Sequence, residues 1–133
     1  MASDELRDHI NTSLNGFKPF SLSLQGISHE PENYLFLNLI RGQEQIIKIH
    51  NLLYSGIIAR FLSKQHDYKP HITVGRLKNL SATQTGMNKL EHFDHEFTTE
   101  VNKISSEIIL DNFTSAIDFE ITLADYSHSD IFG

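Results

Sequence analysis

The apolar residues of this chain change period repeatedly, and the order of those changes leaves few folds open. Leu6, Ile10 and Leu14 recur every four residues, one apolar stripe on a helix over 3–14. Ser3 or Asp4 is its expected N-cap and Gly16 its stop. Phe20, Leu22 and Leu24 then alternate with Ser21, Ser23 and Gln25, the period of a half-buried strand. Residues 34–40 are apolar almost throughout, which predicts a strand central in its sheet. The polar stretch 28–33 between these strands reads as the loop of an antiparallel hairpin. Helical spacing returns over 43–63, where Ile46, Ile47, Leu53, Ile57 and Phe61 make a wide band, and Gly56 inside it marks close packing. A short strand at 71–76 follows, then a helix from about 80 to 93, with Ser81 as N-cap and Met87, Leu90 and Phe93 inward. The chain is extended over 98–110, turns at Asp111-Asn112, and ends in a strand at 116–124 whose apolar residues alternate. Helices and antiparallel strands mixed in this order predict an α+β architecture, read here as a single domain over 1–133.

Composition excludes several classes of function. With 133 residues the chain supports one real core and not two comfortable ones. It has no cysteine, so disulfides, thiolate catalysis and cysteine-ligated metals are ruled out. No run of about 18 apolar residues exists, so no membrane contact is expected. The N-terminus does not read as a signal peptide, and the expected location is the cytoplasm. A net charge of −6 argues against non-specific binding to a nucleic-acid backbone. The charge is unevenly spread, however. Residues 60–78 hold five basic side chains (Arg60, Lys64, Lys69, Arg76, Lys78) against Asp67, whereas 91–130 hold ten acids against Lys103. An anionic ligand is favoured in the first window, where the ordinary alternative is lysines that merely solubilise a helix end.

That basic window surrounds Tyr68-Lys69-Pro70-His71-Ile72-Thr73-Val74-Gly75-Arg76. Strand alternation puts Ile72 and Val74 on one face and His71, Thr73 and Gly75 on the other, with imidazole and hydroxyl roughly 6–7 Å apart. Gly75 leaves room for a ligand beside the backbone, and Pro70 helps fix where the strand begins. An imidazole, a hydroxyl, open space and a nearby guanidinium suit a phosphate-like anion.

At Pro70-His71-Ile72-Thr73-Val74-Gly75-Arg76 the chain resembles the 2H phosphoesterase superfamily, which includes 2′-5′ RNA ligase-like proteins and RNA cyclic phosphodiesterases and is marked by two H-x-[TS] motifs. Residues 20–27, 34–37 and 118–123 resemble the strands that flank this motif in the family. The resemblance implies a bilobal fold of antiparallel sheets with two or three helices outside. It implies acid–base chemistry on a phosphodiester or 2′,3′-cyclic phosphate of an RNA end or small nucleotide, with no metal and no other cofactor. By position, His71 would be catalytic and Thr73 would bind a phosphate oxygen. Arg76, with Lys69 and Tyr68 beside it, would contact substrate.

No other histidine begins an H-x-[TS] motif. The family's first motif lies on a strand upstream of the helix that 3–14 resembles, so the N-terminal strand is expected to be missing. That leaves a shortened two-histidine enzyme or a form with half the site, and a second group must supply the other proton transfer. A missing strand also leaves a sheet edge that a homodimer could cover. A non-catalytic nucleotide- or protein-binding module is the alternative function, and a structural domain that dimerises through that edge is the third. Among smaller signals, His92 and His95 would face each other on a helix and could hold a metal, but a solvated helix end is the favoured reading. His66 and Tyr68 could stack on a base, and ordinary packing is favoured for Tyr68.

Overall fold

The computed structural model describes residues 1–64 and 68–124. Helix α1 spans Ser3–Ser13, and Ile10 and Leu14 of the predicted stripe are buried. Its N-cap is Ala2, which has no side-chain acceptor, so neither Ser3 nor Asp4 caps the helix. The Ser3 hydroxyl instead donates to the Asp118 carboxylate at 2.7 Å. Gly16 follows the helix end at φ +80°, the left-handed conformation expected of a stop.

Strand β1 (Phe20–Glu30) and strand β2 (Tyr34–Arg41) form the predicted antiparallel hairpin. The polar stretch 28–33 is a loop only over Pro31–Asn33; Ser28, His29 and Glu30 belong to β1. Of these, Ser28 and Glu30 lie half-buried on one face and His29 is exposed on the other, and polarity alone does not separate such a strand end from a loop. Strand β3 (His71–Arg76) pairs antiparallel with β2. Strand β4 (Phe97–Val101) completes a sheet of order β3-β2-β1-β4, so β2 is internal as its apolar run predicts and β3 forms an edge.

The helix expected over 43–63 is two pieces. Helix α2 covers Gln43–Leu53, and a 3₁₀ segment covers Gly56–Phe61. The Ser55 hydroxyl donates to the Leu52 carbonyl at 2.6 Å, and Gly56 takes φ +54°, outside helical space. Gly56 therefore breaks the helix and does not mark tight packing; a Cβ there would meet His9 at an ordinary 3.7 Å. The apolar band hides the break because a 3₁₀ turn repeats every three residues and keeps similar positions on one side.

Helix α3 spans Leu80–Lys89, shorter than predicted, and leaves Leu90 and Phe93 beyond its end. Its N-cap is Asn79, not Ser81: the Asn79 carboxamide oxygen accepts from the Ala82 amide at 2.8 Å. Replacing Asn79 with alanine should cost about 1 kcal/mol by removing that acceptor, read as a lower urea midpoint. An unchanged midpoint would show that solvent caps the helix equally well. The Thr83 hydroxyl, fully buried, lies 3.1 Å from the Asn33 carboxamide oxygen and 3.0 Å from the Asn79 carbonyl. It ties the start of α3 to the turn that joins β1 and β2.

The extended run 98–110 is two strands in two sheets, β4 and then β5 (Lys103–Ile109), parted at Asn102. Strand β6 (Ser115–Thr122) pairs antiparallel with β5 after the predicted turn, in which the Asn112 side chain accepts from the Thr114 amide. The described residues fall into two compact units. One comprises 1–20, 48–64 and 100–124, with Ile10, Leu14, Ile49, Phe119, Ile121 and Leu123 in its core. The other comprises 21–47 and 68–99, with Leu24 and Leu35 buried in the four-stranded sheet. Among the described residues no helix is long and apolar enough to cross a membrane.

Candidate active site

The register of β3 on β2 decides which side chains meet. Asn38 opposes His71, Leu37 opposes Ile72 and Phe36 opposes Thr73, but the next pairs are Leu35 with Gly75 and Tyr34 with Arg76. Val74 is thus an extra residue, a β-bulge. Because β2 is regular there, Tyr34, Phe36 and Asn38 share a face, and with them His71, Thr73 and Arg76. Simple alternation puts Gly75 on the histidine's face and Arg76 on the opposite one; the bulge reverses both. Gly75 faces with buried Leu35 instead, and the space a Cβ would occupy there is empty.

On the hairpin's other strand, Ser28 opposes Phe36 and Glu30 opposes Tyr34, so both join the same face. The Ser28 hydroxyl donates to the Asn38 side chain at 3.2 Å, and Asn38 donates to the Gly26 carbonyl at 3.3 Å. His71 lies at the centre. Its ring stacks on Phe36 with centroids 3.7 Å apart and planes 11° from parallel. Its Nδ1 is 2.6 Å from the Lys69 carbonyl oxygen. That oxygen can only accept, so Nδ1 carries a proton, and in the neutral ring Nε2 keeps the lone pair.

The two cations assigned to substrate both have carboxylate partners. Lys69 Nζ is 3.2 Å from Glu30 and 5.7 Å from the centre of the Phe36 ring. The Arg76 guanidinium lies over Tyr34 at 4.8 Å, donates through Nε to the Glu32 carbonyl, and stands 3.7 Å from the Glu32 carboxylate. Half of the local positive surplus read from 60–78, the half at Lys69 and Arg76, is therefore offset, because the hairpin brings two acids from a different part of the sequence. Tyr68 is exposed, one residue before Lys69. His66 lies outside the described residues. His92 and His95 lie past the end of α3, and the His95 ring packs edge-on against Phe97 at 4.5 Å, so the helical spacing that suggested a metal does not exist. Among the described residues no cluster of three or more His, Asp or Glu side chains could hold a metal ion.

The neighbouring Ser28 side chain holds the Glu30 carboxyl below its usual value, helped by the Lys69 ammonium and, more weakly, by His71. The sign follows. A carboxyl depressed by folding adds stability above its unfolded value, near 4.3, and that contribution is lost as pH falls through the lower folded value. Glu30→Gln should lower stability at neutrality, where the contribution is fully present, and change little below the folded value, so that this part of the acid limb flattens; an unaltered acid limb would show that the ion pair contributes nothing. Phe36, Glu30 and Ser28 are neighbours of His71 that sequence motifs do not reveal. The signal that could have found them is the polar alternation of Ser28 and Glu30, once carried into the hairpin as a strand.

The family model of the 2′-5′ RNA ligase superfamily matches residues 1–106, from before α1 into β5, and the chain belongs to that superfamily. Residues 118–123, which resemble a family strand, lie beyond the matched part. No curated protein matches the chain.

Proposed function

We propose that this protein acts on a phosphodiester or 2′,3′-cyclic phosphate of an RNA end or small nucleotide, with His71 as its acid–base group. The observation that carries the reading is the Nδ1 contact to the Lys69 carbonyl, which leaves Nε2 as the atom that exchanges a proton beside the Thr73 hydroxyl. Membership of a superfamily of 2′-5′ RNA ligases supports the substrate class. Nε2 takes the proton of an attacking water, Thr73 donates to a non-bridging phosphate oxygen, and Arg76 offsets negative charge that develops on the phosphoryl oxygens. The departing ribose oxygen receives its proton from solvent or from a second group. The cytoplasm, where RNA ends are plentiful and cysteine-free chains need no oxidant, is the proposed setting.

A second reading, a module that binds nucleotide without turning it over, is favoured by the pairing of Lys69 and Arg76 with glutamates and by His71 standing without a second histidine on this face among the described residues. A homodimer along the outer edge of β3 is less favoured, because Pro70 and the extra residue Val74 both interrupt continuous pairing there. Incubation with 2′,3′-cyclic nucleotides at saturating concentration separates the first two. Hydrolysis supports the enzyme, whereas binding without product supports the module.

A further inference from the structure

We infer that Phe36 is a positioning residue: its ring and the Lys69 carbonyl form a seat that holds the His71 imidazole in one tautomer and one orientation, with Nε2 outward. This deepens the acid–base reading of His71 and rests on it for its catalytic consequence. The seat itself stands on two contacts of different kinds. Near-parallel stacking at 3.7 Å fixes the plane of the ring, and the 2.6 Å contact at Nδ1 fixes its rotation within that plane. Either alone leaves one degree of freedom. Without the stack the imidazole could swing about its χ torsions on an exposed edge strand; without the carbonyl it could flip and present the other nitrogen.

The register explains how Phe36 reaches His71. Phe36 directly opposes Thr73, so its ring reaches His71 along the diagonal, a distance that aromatic side chains span. Glu30 supports the arrangement from the far side. Its carboxylate holds Lys69 Nζ at 3.2 Å, with that ammonium 5.7 Å from the Phe36 centroid. Lys69 is thereby tethered at both ends of the residue, by its side chain to Glu30 and by its carbonyl to His71. On this view Lys69 serves the histidine through its backbone more than the substrate through its charge.

If Phe36 were only filling the half-buried sheet face, leucine would replace it well. If it is a seat, leucine fails and tyrosine succeeds. Nitrogen-15 spectra of the imidazole, taken without substrate at a pH where the ring is neutral, should show His71 in the single Nδ1–H tautomer in the unmodified protein and in Phe36→Tyr. In Phe36→Leu they should show both tautomers. With a 2′,3′-cyclic nucleotide, kcat of Phe36→Leu should fall by up to about 10²-fold with KM unchanged, the scale expected for a misplaced catalytic group. Thermal melts accompany each variant, and if Phe36→Leu does not fold, Phe36→Met, whose thioether adapts to irregular space, carries the same comparison. A single Nδ1–H tautomer in Phe36→Leu, or mixed tautomers in Phe36→Tyr, overturns the inference. If the unmodified protein turns nothing over, the catalytic reading falls, and the spectra still decide whether the seat exists.

Discussion

Replacing His71 with alanine should lower turnover of a 2′,3′-cyclic nucleotide by about 10²–10⁴-fold, the usual range for losing a positioned proton-transfer group. The fold should survive. His71 is exposed on an edge strand, and the interaction most at risk is its stack on Phe36, a pair of a kind worth about 1 kcal/mol. Loss of activity without loss of structure therefore points to chemistry and not to unfolding. His71→Gln is the sharper companion, since a carboxamide can still hydrogen-bond to the Lys69 carbonyl but cannot shuttle a proton near neutrality. Thr73→Val keeps the β-branched shape and removes only the hydroxyl, so its smaller loss isolates the contact to phosphate oxygen. Unmodified rates in His71→Ala would remove His71 from the mechanism.

The largest structural effect is expected far from the histidine, at Gly42 between β2 and α2. Gly42 takes φ +92°, and a Cβ there would stand 2.5 Å from the Leu22 side chain and 2.6 Å from the Ser21 carbonyl oxygen. The side chain could shift. The carbonyl oxygen is backbone of a paired strand and could not shift without disturbing β1. Strained backbone and overpacking each cost of order 1–3 kcal/mol, so Gly42→Ala should lose about 2–6 kcal/mol in all. Urea denaturation checks this: the midpoint should fall with little change in slope. Because the Gly42 carbonyl also accepts from the Ile46 amide at the start of α2, the hydrogen bond that opens that helix is exposed to the same disturbance. A midpoint equal to that of the unmodified protein would show that this corner yields easily.

Much of the fold was legible because burial imposes a period. The stripe of α1, the apolar run of β2 and the alternation in β6 each follow directly from which side of an element faces the core. Breaks within a period were not legible. The apolar band over 43–63 continues through the change from α-helix to 3₁₀ segment, so only the backbone of Gly56 betrays it. The cap of α3 was missed for a related reason: Asn79 and Ser81 are both good caps, and Thr83 buried against Asn33 and Asn79 favours the earlier start.

The candidate site divides in the same way. His71 and Thr73 stand together as their two-residue spacing requires, and that much needs no tertiary information. The ion pairs at Lys69 and Arg76 do, because Glu30 and Glu32 are about forty residues away in sequence and arrive only through the hairpin. Counting charge within a sequence window treats those cations as free for a ligand. Cross-strand neighbours decide whether they are.

The extra residue at Val74 carries a consequence for how such motifs are read. Threonine and arginine here are three positions apart, an odd interval that a regular strand would send to opposite sides of the sheet. They share a side only because one residue is absorbed out of phase. An odd gap between two strand residues that must meet one ligand is thus a trace of irregular pairing, written in the spacing alone. In such a strand the number of intervening residues matters more than their identity. Removing Val74 would leave threonine and arginine two positions apart, an even interval that a regular strand keeps on one side, so the shared face would survive the loss of the bulge.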